Sequence, residues 1–328
     1  MRICLAALLA VSGIACSNPA PKSVDELTLL RDGGELEIIG AVRGGKSYDA
    51  QLAAYEVDGM RLQALIATPK GEAPVDGYPV LIANHGTHPD PPMYGISADG
   101  LQWRPGDYYR PVPEAYAERG FLVVMPDYRG HNTSEGAEFA HGFLASAYYT
   151  EDVLALLPRL AQIEGADTNN VFMWGHSLGG EVSLRALVST DKVRAATIWS
   201  TVGGDIWDQA YHYSRYQEPL AADGADIDKP SVTELRGDIA RLGVSYDWRA
   251  REPLQYLDRL TAPLIIHHAV GDRGAAYKWS VRLAKELYMI GHPYEFFSYE
   301  GDDHFFTGDQ FRMAVDRDVE FFRSKMID

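Results

Sequence analysis

Val171 to Gly180 read VFMWGHSLGG, and this stretch decides the fold. Four apolar residues typical of a buried strand run directly into a G-x-S-x-G pattern centred on Ser177, and a helical run follows. In such an elbow the serine is forced onto a tight strand-to-helix turn, and the glycines on either side let the neighbouring backbones approach. The stretch therefore predicts Ser177 as a nucleophile exposed at the edge of an α/β sheet.

Short apolar runs on both sides of this elbow alternate with stretches of helical spacing. Such runs suit strands that are covered on both faces, as in a parallel sheet. The segment from about 203 to 261 breaks the alternation and is too long for a simple connection. The sequence therefore predicts an α/β fold, a doubly wound and mostly parallel sheet, with an inserted helical cap over about 203–261. The predicted strands cover 61–68, 80–84, 121–125, 171–174, 195–199, 264–268 and 294–298, and the predicted helices 112–119, 145–163, 181–188 and 277–290.

A serine hydroxyl needs a base to remove its proton and a carboxylate to orient that base. His304 is the candidate base, because it lies in a polar, glycine-containing loop just beyond the last predicted strand. Asp272 is the candidate acid, because it follows the strand LIIHHA and lies between the serine and the histidine in chain order. Asp302 and Asp303 rank below it, since neighbouring residues on a tight loop rarely aim their side chains at each other. We expect Ser177, Asp272 and His304 to form a catalytic triad.

Attack on a carbonyl places negative charge on its oxygen, which requires preorganised hydrogen-bond donors. The backbone N–H of Leu178, the residue after the nucleophile, is one expected donor. The second is expected from the loop after the strand VLIAN, where Gly86 lets the chain come close and the Thr87 N–H is the candidate. His85 in this loop is expected to pack rather than to react, and no metal site is predicted from His85 and His88.

The chain of 328 residues carries 30 Lys and Arg against 46 Asp and Glu, for a net charge of −16. That charge argues against a nucleic-acid-binding protein, because binding phosphate requires a cationic surface. The cysteines Cys4 and Cys16 both lie near the N-terminus, so disulfides, thiolate metal sites and a cysteine nucleophile are excluded from the rest of the chain. A Ser-His-Asp triad needs no metal or organic cofactor, and none is predicted.

The N-terminus is typical of an export signal. A short basic region, Met1-Arg2, precedes the apolar run 3–11, which is too short to span a membrane as a mature helix. Residues 12–16, SGIAC, are similar to a bacterial lipobox, in which the cysteine is acylated and becomes the new N-terminus, although Gly13 stands where Leu is usual. We expect export to the periplasm or cell surface and membrane attachment through this lipid; the alternative is a plain signal peptide with an incidental cysteine. The expected parts are a signal peptide over 1–15, lipidation at Cys16, a tether over 16–24 and one catalytic domain over 25–328.

Together these motifs resemble the α/β-hydrolase superfamily, and within it the single-domain relatives of prolyl oligopeptidases, dienelactone hydrolases and bacterial esterases. The resemblance runs from roughly Glu56 to Phe322, with VLIANHGT, FLVVMPDYRGHNTSEG, VFMWGHSLGG, APLIIHHAVGDRG and YEGDDHFF in the family order. It implies a nucleophile at Ser177, an acid at Asp272 and a base at His304. The sequence shows neither the β-propeller that precedes the catalytic domain of large prolyl oligopeptidases nor an evident Glu-Glu pair for a peptide amino terminus, and both departures weaken the peptidase alternative.

The resemblance implies a serine hydrolase that cleaves carboxylic esters through an acyl-enzyme. Aromatic residues cluster in the loop after the oxyanion segment and in the cap; they suggest a phenolic or carbohydrate-linked small-molecule ester, or else they simply pack the cap on the core. Two other functions stay open, a prolyl oligopeptidase-like serine peptidase and a non-catalytic, lipid-anchored binding protein on a hydrolase scaffold. The sequence determines neither the natural substrate nor the oligomeric state. The candidate substrate contacts are Trp103, Tyr108, Trp207, Tyr211 and Tyr213.

Overall fold

The computed structural model describes residues 19–29, 33–87, 96–97, 100–101, 109–140, 142–203, 205–215, 236–237, 240 and 248–327. Its strands are β1 (Leu36–Val42), β2 (Tyr48–Val57), β3 (Met60–Pro69), β4 (Tyr78–Asn84), β5 (Ile96–Ser97), β6 (Gly100–Leu101), β7 (Leu122–Asp127), β8 (Ala166–His176), β9 (Ala195–Trp199), β10 (Leu264–Ala269) and β11 (Tyr294–Tyr299). Nine of these strands form one sheet in the order β1-β2-β3-β7-β4-β8-β9-β10-β11, and β5 and β6 form a small separate hairpin.

Helices flank this sheet on both faces. None of the described helices combines the length and the apolar character needed to cross a bilayer. The α-helices are α1 (Val24–Leu27), α2 (Pro111–Ala117), α3 (Ala145–Leu156), α4 (Leu178–Leu187), α5 (Ile206–Arg215), α6 (Tyr277–Ile290) and α7 (Gly308–Ser324), and short 3₁₀ helices cover Ala137–Phe139, Leu157–Gln162, Arg249–Arg251 and Pro253–Arg259.

The sheet is antiparallel at its N-terminal side and parallel from β7 to β11. β1, β2, β3 and β7 pair antiparallel in turn, whereas β7, β4, β8, β9, β10 and β11 pair parallel. Every residue of β4, β7, β9 and β10 is buried, which is the reason these strands are continuous apolar runs in the sequence. The predicted doubly wound, mostly parallel α/β sheet is confirmed.

Two apolar layers cover the two faces of the sheet. One layer includes side chains of α3, α4 and α6, and the other includes side chains of α2 and α7. The carboxyl ends of β4, β8, β10 and β11 meet at one edge between these layers. Loops at that edge are where an open α/β sheet places its ligand site.

Asp318 of α7 is fully buried and connects this helix to α2, β9 and β10. Its Oδ2 accepts hydrogen bonds from the Tyr116 hydroxyl at 2.6 Å and from the Trp199 indole N–H at 2.9 Å. Its Oδ1 lies 2.9 Å from His267 Nε2. The carboxylate thus gives three buried polar groups the hydrogen-bond partner that water would otherwise supply. Burying these groups without a partner would cost free energy.

Asp318→Ala should lower the free energy of unfolding by about 3–5 kcal/mol, because it leaves buried donors without their acceptor. Asp318→Asn should cost less, since the amide oxygen still accepts from Tyr116 and Trp199. His267 can then present a bare Nε2 to the amide N–H, because its Nδ1 lies 2.7 Å from the Tyr299 hydroxyl and can donate there. Urea unfolding followed by tryptophan fluorescence measures both variants. An alanine variant as stable as the asparagine variant would contradict this account.

The N-terminal arm, residues 19–28, packs against the domain. Val24 and Leu27 are fully buried, and the Lys22 ammonium lies 2.7 Å from the Glu151 carboxylate. Burial raises the pKa of Glu151 to about 7. Residues 19–24 of the predicted tether therefore lie on the body of the molecule.

Candidate active site

Ser177 lies between β8 and α4, as the G-x-S-x-G pattern predicts. Its φ of 56° and ψ of −123° form a backbone conformation that L-residues rarely adopt, which is the strain expected of a nucleophile elbow. A side chain at Gly175 would collide with the Ser183 hydroxyl, and one at Gly179 would collide with the Asn84 carbonyl. The two glycines therefore let the turn close tightly enough to present the serine hydroxyl beyond the carboxyl ends of the strands.

Side chains from three separate loops meet at this elbow. His304, in the loop between β11 and α7, places Nε2 2.9 Å from Ser177 Oγ and Nδ1 2.8 Å from Asp272 Oδ2. Because a carboxylate only accepts, His304 Nδ1 carries the proton and donates to Asp272, which leaves Nε2 to accept the serine proton. The structure thus brings the three predicted triad residues together in the arrangement that general-base activation of a serine requires.

Asp272 is held at both carboxylate oxygens. Oδ1 accepts from the backbone N–H groups of Gly274 at 2.7 Å and Ala275 at 3.1 Å, and Oδ2 lies 3.1 Å from His268 Nε2. Burial by itself would raise the pKa of Asp272, but hydrogen bonds from His268 and His304 outweigh it and hold the pKa well below its usual range. The carboxylate is therefore ionised at any pH at which a serine hydrolase is active. It can stabilise the imidazolium that forms during attack.

His268 contacts the predicted acid, and no sequence pattern predicts this contact. It is fully buried in β10, where its Nε2–H points at Asp272 and at the Ala275 carbonyl, which only accepts. Its Nδ1 consequently accepts from the Ser280 hydroxyl at 2.7 Å. The available signal is its place at the end of a strand, four residues before the acid. His268 thereby links α6 to the Asp272 carboxylate.

His268→Met should lower kcat about tenfold, because Asp272 loses a charge-assisted hydrogen bond worth about 1.5–3 kcal/mol and orients the base less firmly. The acid limb of the pH–rate profile should also move to higher pH, since a carboxylate with one donor fewer stabilises the imidazolium more strongly. His268→Gln, whose amide N–H can replace Nε2–H, should retain most of the activity and of the profile. A methionine variant with the profile of the unmodified enzyme would show that His268 only fills space.

The two predicted oxyanion donors belong to segments that adjoin the nucleophile. Leu178 is the first residue of α4, so its N–H has no acceptor within the helix. Gly86 comes so close that a side chain there would lie 2.9 Å from Ser177 Cβ, and Thr87 is the next residue of this loop. The N-terminus of α4 also favours negative charge at this point. Leu178 therefore remains the predicted first oxyanion donor, and Thr87, beside Gly86, remains the predicted second donor.

The predicted substrate contacts fall into three groups. Trp103 and Tyr108 lie outside the described residues. Trp207 and Tyr211 are exposed on α5. The Tyr213 hydroxyl donates at 3.1 Å to a carbonyl in the turn that follows the catalytic acid. Tyr213 therefore joins α5 to the turn that follows Asp272, whereas Trp207 and Tyr211 keep surface that a substrate can contact.

Comparison with known proteins shows what kind of fold surrounds this site. Residues 108–328, about two thirds of the chain, match the prolyl oligopeptidase family. The chain belongs to that family. This prolyl oligopeptidase family member is also 22% identical over 272 residues to an uncharacterized peptidase of Bacillus subtilis, YtmA, which covers 83% of this chain and 92% of that protein.

The solved structures of a peptidase and of an esterase share the fold. An acylaminoacyl peptidase of Pyrococcus horikoshii has a TM-score of 0.64 at 19% identity, over 86% of this chain and 42% of that chain. Acetyl xylan esterase 1 of a Thermoanaerobacterium species has a TM-score of 0.60 at 16% identity, over 95% of this chain and 96% of that chain. The chain thus spans less than half of the peptidase and nearly all of the esterase. This prolyl oligopeptidase family member is a serine hydrolase of the α/β-hydrolase superfamily, as the sequence predicts.

Proposed function

We propose that this serine hydrolase cleaves carboxylic esters of small-molecule or carbohydrate-linked substrates. Ser177 Oγ attacks the ester carbonyl carbon while His304 Nε2 takes the hydroxyl proton, and the alcohol leaves with that proton. Water, deprotonated by His304, then attacks the acyl carbon. The bond from that carbon to Ser177 Oγ breaks, His304 returns its proton to Oγ, and the carboxylic acid leaves. Asp272 stays ionised through both steps, and the amides of Leu178 and Thr87 stabilise the negative carbonyl oxygen.

Between the two solved structures described above, the extent of the match favours an ester over a peptide. The chain covers 96% of the acetyl xylan esterase but 42% of the acylaminoacyl peptidase, so its architecture has a full-length counterpart in the esterase. The exposed rings of Trp207 and Tyr211 at the cap add a flat apolar surface suited to an aromatic acyl group or a sugar ring.

Peptide hydrolysis is the second candidate, and the prolyl oligopeptidase family itself favours it. The match to the uncharacterized peptidase of Bacillus subtilis covers 92% of that protein. The same relay would cleave an amide if His304 returned its proton to the leaving amine. The two candidates thus differ in the leaving group and in the binding surface rather than in the triad.

Substrate competition tests this proposal. Activated nitrophenyl esters also react with peptidases, so the deciding comparison uses unactivated esters, namely acetylated sugars, methyl esters and feruloyl esters, against aminoacyl and acylaminoacyl nitroanilides. We expect higher kcat/KM for one class of unactivated ester. Higher kcat/KM for a nitroanilide would establish the peptidase instead. Failure of a fluorophosphonate probe to label Ser177 would support the third candidate, a binding protein without catalysis.

We further propose that the protein is exported and attached to a membrane by a lipid on Cys16. The support is the sequence SGIAC and the basic and apolar residues before it. The acidic charge of the chain would keep the domain off an anionic lipid surface while the N-terminal lipid holds it nearby.

A further inference from the structure

Tyr109 contacts both the oxyanion loop and the residue before the nucleophile. This tyrosine precedes α2 and is almost fully buried, with 3% of its surface exposed. Its hydroxyl oxygen accepts the Gly86 N–H at 2.8 Å and lies 2.6 Å from His176 Nδ1. One buried hydroxyl therefore joins two segments that flank Ser177.

The ring of His176 continues this contact to the base. Its Nε2 lies 2.8 Å from the backbone carbonyl of His304, which only accepts, so Nε2 carries the proton. Burial lowers the pKa of His176 well below its usual range, and the neighbouring His304 lowers it further, so the ring is neutral and Nδ1 accepts. The Tyr109 hydroxyl must then donate to Nδ1. The Gly86 N–H thus donates to Tyr109, the Tyr109 hydroxyl to His176, and the His176 Nε2–H to the His304 carbonyl. All three hydrogen bonds run in one direction.

We propose that Tyr109 and His176 form a strut that positions the oxyanion loop and the base relative to each other. His176 precedes Ser177, so the strut is built on the elbow itself and reaches outward to Gly86 on one side and to His304 on the other. The aromatic ring of Phe305 packs edge-on against both members, at 5.5 Å from Tyr109 and 5.1 Å from His176. The strut acts on the reaction through these neighbours, since neither of its side chains lies in the triad relay.

The strut also determines which amide the oxyanion loop offers. Two successive N–H groups, those of Gly86 and Thr87, follow the end of β4. The Gly86 amide is occupied by the Tyr109 hydroxyl, so the Thr87 amide is the one that the loop presents to the substrate. Loss of the hydroxyl would release the Gly86 amide and let the loop turn. Misplacement of catalytic groups by about 1 Å can cost about 100-fold in rate.

This inference rests on the proposed hydrolysis at Ser177, and Tyr109→Phe tests it. The variant should lower kcat about 10- to 100-fold while KM changes by less than about threefold, because the strut orients catalytic groups and does not bind substrate. Tyr116→Phe is the matched control, since its buried hydroxyl also makes a 2.6 Å hydrogen bond, to Asp318 and away from the elbow. Both variants should lose thermal stability, but the control should keep its kcat within about twofold.

His176 gives a second test that holds if the tyrosine variant does not fold. His176→Gln keeps a donor for the His304 carbonyl, whereas His176→Leu removes it, so the glutamine variant should retain several-fold more kcat than the leucine variant. Equal kcat for these two, or equal kcat for Tyr109→Phe and Tyr116→Phe, would overturn the strut. All variants are assayed on whichever ester or nitroanilide the unmodified enzyme cleaves best. Preference for a nitroanilide would therefore refute the ester proposal and still test the strut.

Discussion

Ser177→Ala should reduce kcat by about 10⁴-fold or more, whichever acyl substrate the enzyme turns over. Without Oγ no acyl-enzyme can form, and His304 has no hydroxyl to deprotonate at the elbow. The fold should persist, because alanine keeps the backbone geometry of the turn and the serine makes its side-chain hydrogen bond to His304 alone among the described residues. Steady-state kinetics and loss of fluorophosphonate labelling measure the effect. A small residual rate is expected from the amides of Leu178 and Thr87.

Ser189→Ala is the matched control for this variant. Ser189 has the same exposed fraction as Ser177, 8%, and its hydroxyl donates to the Arg185 carbonyl near the far end of α4. Its removal should change kcat by less than about twofold. A kcat of Ser177→Ala within about tenfold of that of the unmodified enzyme would mean that another group carries the chemistry, and the triad would have to be abandoned.

Asp272→Asn should lower kcat by about 10⁴-fold with little change in structure. The amide oxygen can keep the backbone hydrogen bonds that Oδ1 now accepts, from Gly274 and Ala275. The amide N–H₂ then occupies the place of Oδ2 and faces His304 Nδ1, while His268 Nε2–H keeps the Ala275 carbonyl as its acceptor. His304 must then accept this amide hydrogen bond at Nδ1, so its proton moves to Nε2. In that tautomer Nε2 can no longer accept the proton of Ser177.

The neighbouring acid Asp302 supplies the control for the charge change. It is exposed in the loop of the base, so Asp302→Asn removes the same charge close to the site without touching the relay. We expect its kcat to stay within about twofold, because exposed charges are screened by water and salt. Comparable losses in Asp272→Asn and Asp302→Asn would indicate that local negative charge, and not the orientation of His304, matters for catalysis.

The central strands could be predicted because burial on both faces makes each of them a continuous apolar run in the sequence. The predicted strand 195–199 and the predicted helix 277–290 coincide with β9 and α6. β1 forms no such run, because it lies at the sheet edge and most of its residues are partly or fully exposed. α7 was not predicted either, since the buried Asp318 interrupts its apolar stripe and only the folded partners explain a carboxylate there.

The same contrast holds at the site. Ser177, Asp272 and His304 each follow a strand end within a recognisable motif, so chain order and local pattern were enough to predict their meeting. Tyr109 and His268 act through hydrogen bonds whose partners are decided by the folded structure. Tyr109 reaches His176 across 67 positions of sequence, and nothing local in either segment marks the pair. Residues that support a triad are for this reason harder to predict than the triad itself.

The docked N-terminal arm has a consequence for how the enzyme could sit in its surroundings. The Tyr148 hydroxyl donates to the Pro19 carbonyl at 2.7 Å, so the arm is fixed to the body at Pro19, the first described residue. Cys16 precedes Pro19 by three residues, which can reach at most about 10 Å. If that cysteine carries a lipid, as proposed, the connection to the domain is too short to let the domain rotate freely relative to the membrane. The lipid would thereby hold the face of the domain on which Pro19 lies close to the bilayer.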